Sequence, residues 1–418
     1  MRIDIAVIGG GAAGLAAAIQ ASNSNLNILI IEREKELGGI LNQCIHTGFG
    51  LEFFHEELTG PEYAYRFIEI LKQKNINVLL NTTVIDIIKD NDFLITISSL
   101  DNGFQVVNAK SVILSSGCFE RTRGALMIPG ERPKGIMPAG SAQRYLNIDG
   151  YLVGKDVFIL GSGDIGLIMA RRMTLEGAKV HGVAEIMPYS NGLNRNIAQC
   201  LEDYDIPLYL SHTITNIKGK DVLEEITISQ VDQSFHPIQG TEKKFKVDTL
   251  LLSVGLIPDI QLFESLSIET SKTTKSAIVN QHYQTNIEGL YVCGNALHVH
   301  DLVDWVTKES ELVGQKAKDY CLSENKIIKN EKAILLGNDI RYTVPQKIDF
   351  NQLNEPFEIL FRVTRKMENG TFKVIQDGKV IHSKKRKYIA PAEMEKIQLK
   401  PSDFLSSNEI TIELEEKI

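Results

Sequence analysis

With 418 residues, 43% hydrophobic and 23% charged, the chain carries enough apolar material for two or three domains. A formal net charge of −8 argues against a general nucleic-acid binder, although backbone N–H groups can still hold an anionic cofactor locally. The five cysteines, at 44, 118, 200, 293 and 321, form no CxxC pair, which excludes a zinc ribbon or a cysteine-only iron–sulfur site and fits reduced thiols in a cytoplasmic protein. No stretch approaches the ~20 apolar residues of a membrane span, and the glycine-rich segment 5–21 does not read as a secretory leader.

In chain order, the apolar run 3–8 reads as a buried parallel strand. The turn Gly9-Gly10-Gly11-Ala12-Ala13-Gly14 follows, then an alanine-rich helix over 15–21 and a strand over 27–31 that ends on Glu32. Strand-like runs occupy 77–80, 84–88, 93–98 and 111–115. The opening grammar then returns: a strand over 156–160, the turn Gly161-Ser162-Gly163-Asp164-Ile165-Gly166, a helix over 167–176, and a strand over 179–184 ending on Glu185. Further strands are expected at 225–228, 249–254 and 289–293, and a helix over 302–320. In the tail, 357–366 alternates like a strand, and Asn369-Gly370 and Asp377-Gly378 read as hairpin turns.

The glycines carry the chemistry. A diphosphate must approach free N–H groups at a helix N-terminus, so the first glycine makes the turn, the second leaves room and the third lets helix and strand pack. Gly9, Gly11 and Gly14 fit these roles, and Glu32, 18 residues past Gly14, is placed to bond ribose hydroxyls. Gly161, Gly163, Gly166 and Glu185 repeat the pattern. Two dinucleotide sites on one chain imply hydride transfer between them. A carboxylate at Glu185, with no arginine directly after it, suits NAD rather than NADP.

These motifs resemble the pyridine-nucleotide-dependent FAD oxidoreductases of the glutathione-reductase type over residues 1 to about 330. Ser115-Ser116-Gly117, the run from Leu252 to Gly255, Pro258-Asp259 and the run from Gly289 to Asn295 belong to the same resemblance. In that family an aspartate follows the last glycine and bonds the FAD ribitol; here Asn295 replaces it, without the charge. The segments from Gly38 to His46, from Leu58 to Tyr63, from Glu120 to Ala125, from Pro188 to Gly192 and from His298 to Asp304 are similar to a narrower subgroup. That subgroup occurs beside anaerobic glycerol-3-phosphate dehydrogenases and as the smaller flavoprotein subunit of amino-acid dehydrogenases such as proline dehydrogenase.

The implied architecture is α/β, with two Rossmann-like dinucleotide-binding domains and a small β-rich C-terminal domain. The expected boundaries are 1–150 with 257–333 for FAD, 151–256 for an inserted NAD domain, and 334–418 for the tail. The expected cofactor-binding residues are Gly9, Gly11, Gly14, Glu32, Arg33, Gly39, Gly117, Gly161, Gly163, Asp164, Gly166, Glu185, Gly255, Gly294 and Asn295. No metal ligand set is expected; His298, His300 and Asp301 offer few ligand types.

The candidate catalytic residues are Cys44, His46, His298 and His300. The resembled disulfide reductases carry two cysteines after the glycine pair near 39; this chain has Cys44 alone, so an intrachain redox disulfide is excluded there. Cys44 is then either a small hydrophobe or, with His46, a single-cysteine reductase centre. His298 and His300 precede a helix whose N-terminus, in the resembled fold, faces the flavin; they serve as proton carriers there, or cap and solvate the helix start. Electrons entering at FAD then need an exit. The expected one is a partner dehydrogenase subunit or a small iron–sulfur protein, with the basic run Lys384-Lys385-Arg386-Lys387 as docking patch or plain solvated face. The alternative role for the tail is a homodimer interface.

Overall fold

The strand Arg2–Ile8 is buried along most of its length because it has parallel neighbours on both sides, Ile28–Ile31 and the second half of Gly103–Leu114. The computed structural model containing it describes residues 2–22, 25–323 and 328–416. The chain divides into two compact units, one of residues 1–41, 47–118 and 258–418, the other of 42–46 and 119–257.

In the first unit the parallel sheet runs Ile76–Leu79, Ile28–Ile31, Arg2–Ile8, Gly103–Leu114, with Leu290–Val292 pairing beyond it. The 12-residue strand Gly103–Leu114 joins the parallel and antiparallel parts of one seven-stranded sheet: its first half continues an antiparallel meander with Phe93–Ser99 and Thr82–Lys89. The helix Ala12–Ala21 packs on this sheet, and Val303–Leu322 crosses it so closely that a β-carbon on Gly314 would lie 2.2 Å from the Ala17 carbonyl oxygen. The helix Gly60–Lys72 starts at a capping box in which Thr59 and Glu62 satisfy each other's N–H groups.

In the second unit the parallel strands follow the order Ile136–Pro138, Thr249–Leu252, Asp156–Leu160, Lys179–Glu185, Leu208–Leu210. Side-chain alternation divides its core. Val157 and Ile159 pack with Leu167, Met169 and Met173 of the helix Asp164–Leu175, whereas Phe158 and Leu160 face Ile226 and Ile228 of an antiparallel three-stranded sheet. Ile136–Pro138 joins this sheet although it lies upstream of residue 151, where the sequence suggested the domain begins.

The tail is β-rich. A five-stranded sheet runs Lys347–Asp349, Glu331–Leu336, Ile410–Glu416, Met367–Gln376, Lys379–Ile389, and a three-stranded sheet joins Ile340–Val344, Phe357–Val363 and Glu395–Leu399. Phe361 and Phe372 meet edge to face at 4.9 Å in its core. Reciprocal bonds between Gln281 and the Asp349 backbone, 2.8 Å each way, tie the tail to the rest of the first unit. Asp377-Gly378 makes the hairpin turn expected of it, but Asn369-Gly370 does not: Asn369, at φ 56°, lies inside the strand Met367–Gln376. The α/β architecture with two Rossmann-like domains and a β-rich C-terminal region is thus the one the sequence pointed to.

Candidate functional site

The two glycine turns can be compared position by position. Gly9 and Gly161 adopt φ of 103° and 99°, and a β-carbon on either would strike the carbonyl oxygen of Ser115 or Ser253, at 2.6 and 1.9 Å. Gly14 and Gly166 are required by packing, since their β-carbons would meet the carbonyl oxygens of Gly9 and Gly161 at 1.8 and 2.6 Å. The middle glycines differ from both. Gly11 and Gly163 have ordinary negative φ, and β-carbons there would meet nothing closer than Gly39 Cα at 3.9 Å and Ser253 Oγ at 3.6 Å. Nothing in the protein itself demands glycine at 11 or 163; open space lies in front of the backbone at each. Gly11 and Gly163 are also the N-caps of their helices, and neither helix receives a side-chain cap. Each thus presents free N–H groups and the positive end of its dipole to that space.

A carboxylate closes each turn. Glu32 Oε2 accepts the Gly10 N–H at 2.6 Å and Oε1 the Glu34 N–H at 2.8 Å. Glu185 Oε2 accepts the Ser162 N–H and hydroxyl at 3.0 and 2.7 Å, and Oε1 the Met187 N–H at 3.0 Å. Both carboxylates are buried. Of the other expected residues, Gly39 flanks Gly11; Gly117, at φ 79°, has open space where a β-carbon would go, and a β-carbon on Gly255, at φ 99°, would meet Arg121 Nε at 3.9 Å. Asp164 points away from the turn to bond Leu193 N and Asn196 Nδ2, and so holds down the loop after Glu185. Arg33 is exposed and lies 4.0 Å from the Glu34 carboxylate.

The four candidate catalytic residues fall into two groups. His298 and His300 lie in the first unit and converge on Glu309, which the sequence reading did not single out. Glu309 Oε1 also accepts the Gly294 N–H at 2.7 Å, and Asn295 Oδ1 accepts the His300 N–H at 3.1 Å, so the loop 294–300 is held from both sides. Burial alone would raise the Glu309 carboxyl, but the two imidazoles outweigh it and hold the group down at about 2. Burial, then the neighbouring His300, lowers His298. Asp301 accepts bonds from Arg362 and from the Met394 N–H of the tail, and Asp304 from the N–H groups of Gly50 and Phe53.

Cys44 and His46 belong to the second unit. Gln43, beside them, bonds the Gly140 carbonyl and Gln143. Burial pushes the Cys44 thiol up to about 12 and lowers His46, the latter aided by Arg195. The signal that could have revealed Glu309 is positional. It is a charged residue inside the stripe Val306, Val313 and Ala317, where helical spacing calls for buried side chains.

Two β-turn-α-β units, each with an uncapped helix start, an open middle glycine and a buried carboxylate at the next strand's end, define an α/β oxidoreductase of the two-dinucleotide class. The chain belongs to the pyridine nucleotide-disulphide oxidoreductase family, whose sequence profile matches residues 3–312. Its members are FAD-dependent NAD(P)H oxidoreductases, and the open cradles at Gly11 and Gly163 fit a pyrophosphate in each unit. Among relatives, hydrogen cyanide synthase subunit HcnB of Pseudomonas protegens is 23% identical over 290 residues, 64% of this chain and 60% of that one. An NADH oxidase of Methanocaldococcus jannaschii is 26% identical over 318 residues, 73% of this chain and 65% of that one. The chain therefore matches less than two thirds of the length of either. The thioredoxin reductase structure from T. acidophilum shares the fold, with a TM-score of 0.64 at 22% identity over 77% of this chain and 99% of that one. Among the described residues, no helix is long and apolar enough to cross a membrane.

Proposed function

We propose that the chain passes hydride between NAD(H) at the second glycine turn and FAD at the first, and exchanges the flavin's electrons with a partner dehydrogenase or iron–sulfur protein. The observation that carries this reading is the matched pair of cradles combined with a lone cysteine. The two cradles are built alike, and after Gly39 the chain carries Cys44 alone where a redox pair would need two cysteines. The basic strand of the tail, the designation of one relative as a synthase subunit, and the resemblance to flavoprotein subunits of amino-acid and glycerol-3-phosphate dehydrogenases support the partner.

NADH is the preferred nucleotide on this reading. A carboxylate about 4 Å from a 2′-phosphate costs on the order of 4 kcal/mol at an effective dielectric of 20. Even a third of that is roughly tenfold in affinity. The test is to identify the flavin released on denaturation, then to follow flavin reduction over a range of NADH and NADPH concentrations. FAD released and NADH favoured by tenfold or more are the expected results. FMN alone would overturn the cofactor assignment, and equal efficiency would overturn the role of Glu185. The single-cysteine reductase has less support, because desolvation pushes the half-buried Cys44 thiol up to about 12 and so disfavours the thiolate.

A further inference from the structure

Three side chains converge beside the loop 294–300. Glu309 Oε2 lies 2.8 Å from His298 Nε2 and 3.2 Å from His300 Nε2, and one ligand atom from each residue falls within 4.8 Å of the other two. The side chains of His298, His300 and Glu309 are 1%, 3% and 2% exposed, so bulk water does not compete for these atoms. The His300 ring is oriented from behind. Its Nδ1 lies 3.0 Å from the His298 carbonyl oxygen, which can only accept, so Nδ1 carries a hydrogen and Nε2 turns toward Glu309. The carboxylate is oriented too, because its other oxygen accepts the Gly294 N–H at 2.7 Å. Two imidazoles aimed by Nε2 at one oxygen, an outward N–H on a backbone carbonyl and a carboxylate steadied by a backbone amide are the outer hydrogen bonds that hold metal ligands in place.

We propose that His298, His300 and Glu309 bind a divalent first-row transition ion such as zinc, through both Nε2 atoms and the Glu309 carboxylate. Imidazole with carboxylate suits zinc, iron(II) and their neighbours, whereas magnesium and calcium take oxygen ligands. Ligand atoms that share a zinc at ~2.1 Å stand ~3.4 Å apart in a tetrahedron, so small side-chain shifts close the trio on an ion, and three protein ligands leave the fourth position to a water. From the sequence, His298, His300 and Asp301 offered too few ligand types. The fold turns Asp301 to Arg362 and the Met394 N–H instead, and supplies Glu309 from the helix Val303–Leu322. The ion staples the loop to that helix. Gly294, at the start of the loop, packs so closely on the first glycine turn that a β-carbon there would lie 2.8 Å from the Ala13 β-carbon, so the staple also fixes one side of that turn. The site stands whichever cofactor the turn holds.

The experiment uses the full chain, without a histidine tag, expressed in zinc-supplemented medium so that an ion inserted during folding is retained. Metals are counted by plasma mass spectrometry after gel filtration. About one zinc or iron per chain is expected in the wild type and less than about a tenth of that in His298→Gln and in Glu309→Gln. His236→Gln, which alters an exposed histidine, should keep the ion. X-ray absorption at the metal edge should show two imidazoles with oxygen and no sulfur. Chelation should lower the wild-type melting temperature, and added Zn²⁺ should restore it, while neither moves the variants. A folded wild type with less than about a tenth of an ion per chain overturns the proposal. So does an ion that survives both ligand substitutions, one that is lost in His236→Gln, one bound through sulfur, or magnesium or calcium in its place. If the ligand variants fail to fold, the wild type alone decides, through its metal count and the ligands seen by X-ray absorption.

Discussion

An alanine at position 11 would place its β-carbon 3.9 Å from the nearest protein atom, whereas one at position 14 would sit 1.8 Å from the Gly9 carbonyl oxygen. The two substitutions therefore separate ligand binding from folding. Gly11→Ala should fold and melt as the wild type does and yet purify without FAD. Gly14→Ala should lose several kcal/mol, since overpacking against backbone costs about 1–3 kcal/mol or more. Thermal melts paired with flavin content check both, and full flavin in Gly11→Ala would show that the cradle is not where the pyrophosphate sits. Gly163→Ala should keep its flavin and raise the KM for NADH. At Cys44, desolvation pushes the thiol up to about 12 and disfavours the thiolate at pH 7. Cys44→Ser should keep most NADH-dependent dye reduction; a loss beyond about a hundredfold, on the order of 3 kcal/mol of barrier, in a variant still holding FAD would restore the single-cysteine reading. Acid should act through the trio. His298 is lowered in the fold, so the unfolded chain binds its proton first, and the stability His298 contributes is lost as pH falls below ~6.5. Glu309, held at about 2, adds a second loss between ~4.5 and that value. Melting temperature should fall from pH 7 to pH 5, and His298→Gln should flatten that slope.

At the scale of elements, the helix Val303–Leu322 shows close approach overriding propensity. Alanine for Gly314 would favour a helix by ~1 kcal/mol, but its β-carbon would lie 2.2 Å from the Ala17 carbonyl oxygen of the crossing helix. Because backbone cannot yield cheaply, Gly314→Ala should lower stability in chemical denaturation, and a rise would mean that the two helices can separate. How legible each element was in the sequence follows from how local its cause is. Both glycine units could be read directly, since strand, turn, helix and acidic strand end lie within about thirty residues and each role is steric. The first half of Gly103–Leu114 escaped notice because its first four residues are exposed and show no alternation of burial. Ile136–Pro138 is three residues long and ends on proline, too little for a periodic signal. Asn369-Gly370 misled for a physical reason: the pair reports tolerance of positive φ, and Asn369 uses that tolerance within a strand. Cys44 and the histidines could be picked out as chemistry, but their partners could not. Glu309 reaches His298 across 11 residues, and Arg362 reaches Asp301 across 61.

Across the whole molecule, the tail is coupled to the candidate flavin site in the same unit. Arg362, largely buried, donates to Asp301 and to the Val299 carbonyl oxygen on the histidine loop, and also to Tyr342 Oη and the Ala392 carbonyl oxygen of the tail. A protein bound to the tail would therefore sit on a domain whose side chains grip the loop that carries His298 and His300. The basic run divides by strand alternation. Lys384 and Arg386 turn toward the buried Glu395, at 3.6 and 2.9 Å, and serve the fold. Lys385 and Lys387 are exposed, Lys387 over the ring of Tyr388, on a strand at the edge of its sheet. Lysines on an edge strand also block unwanted strand pairing, so charge alone does not prove docking; its salt dependence does. An acidic partner steered by these lysines should associate at low salt and be released as the Debye length shrinks. The tagged protein, drawn from its native host at low salt, should carry a dehydrogenase or iron–sulfur chain with it. Lys385→Glu with Lys387→Glu should lose that chain and most electron transfer from the dehydrogenase's substrate, while NADH-dependent dye reduction stays at the wild-type rate. If nothing travels with the wild type, and the lone chain turns over a physiological substrate rapidly, this is a complete enzyme and the tail's lysines only guard its edge.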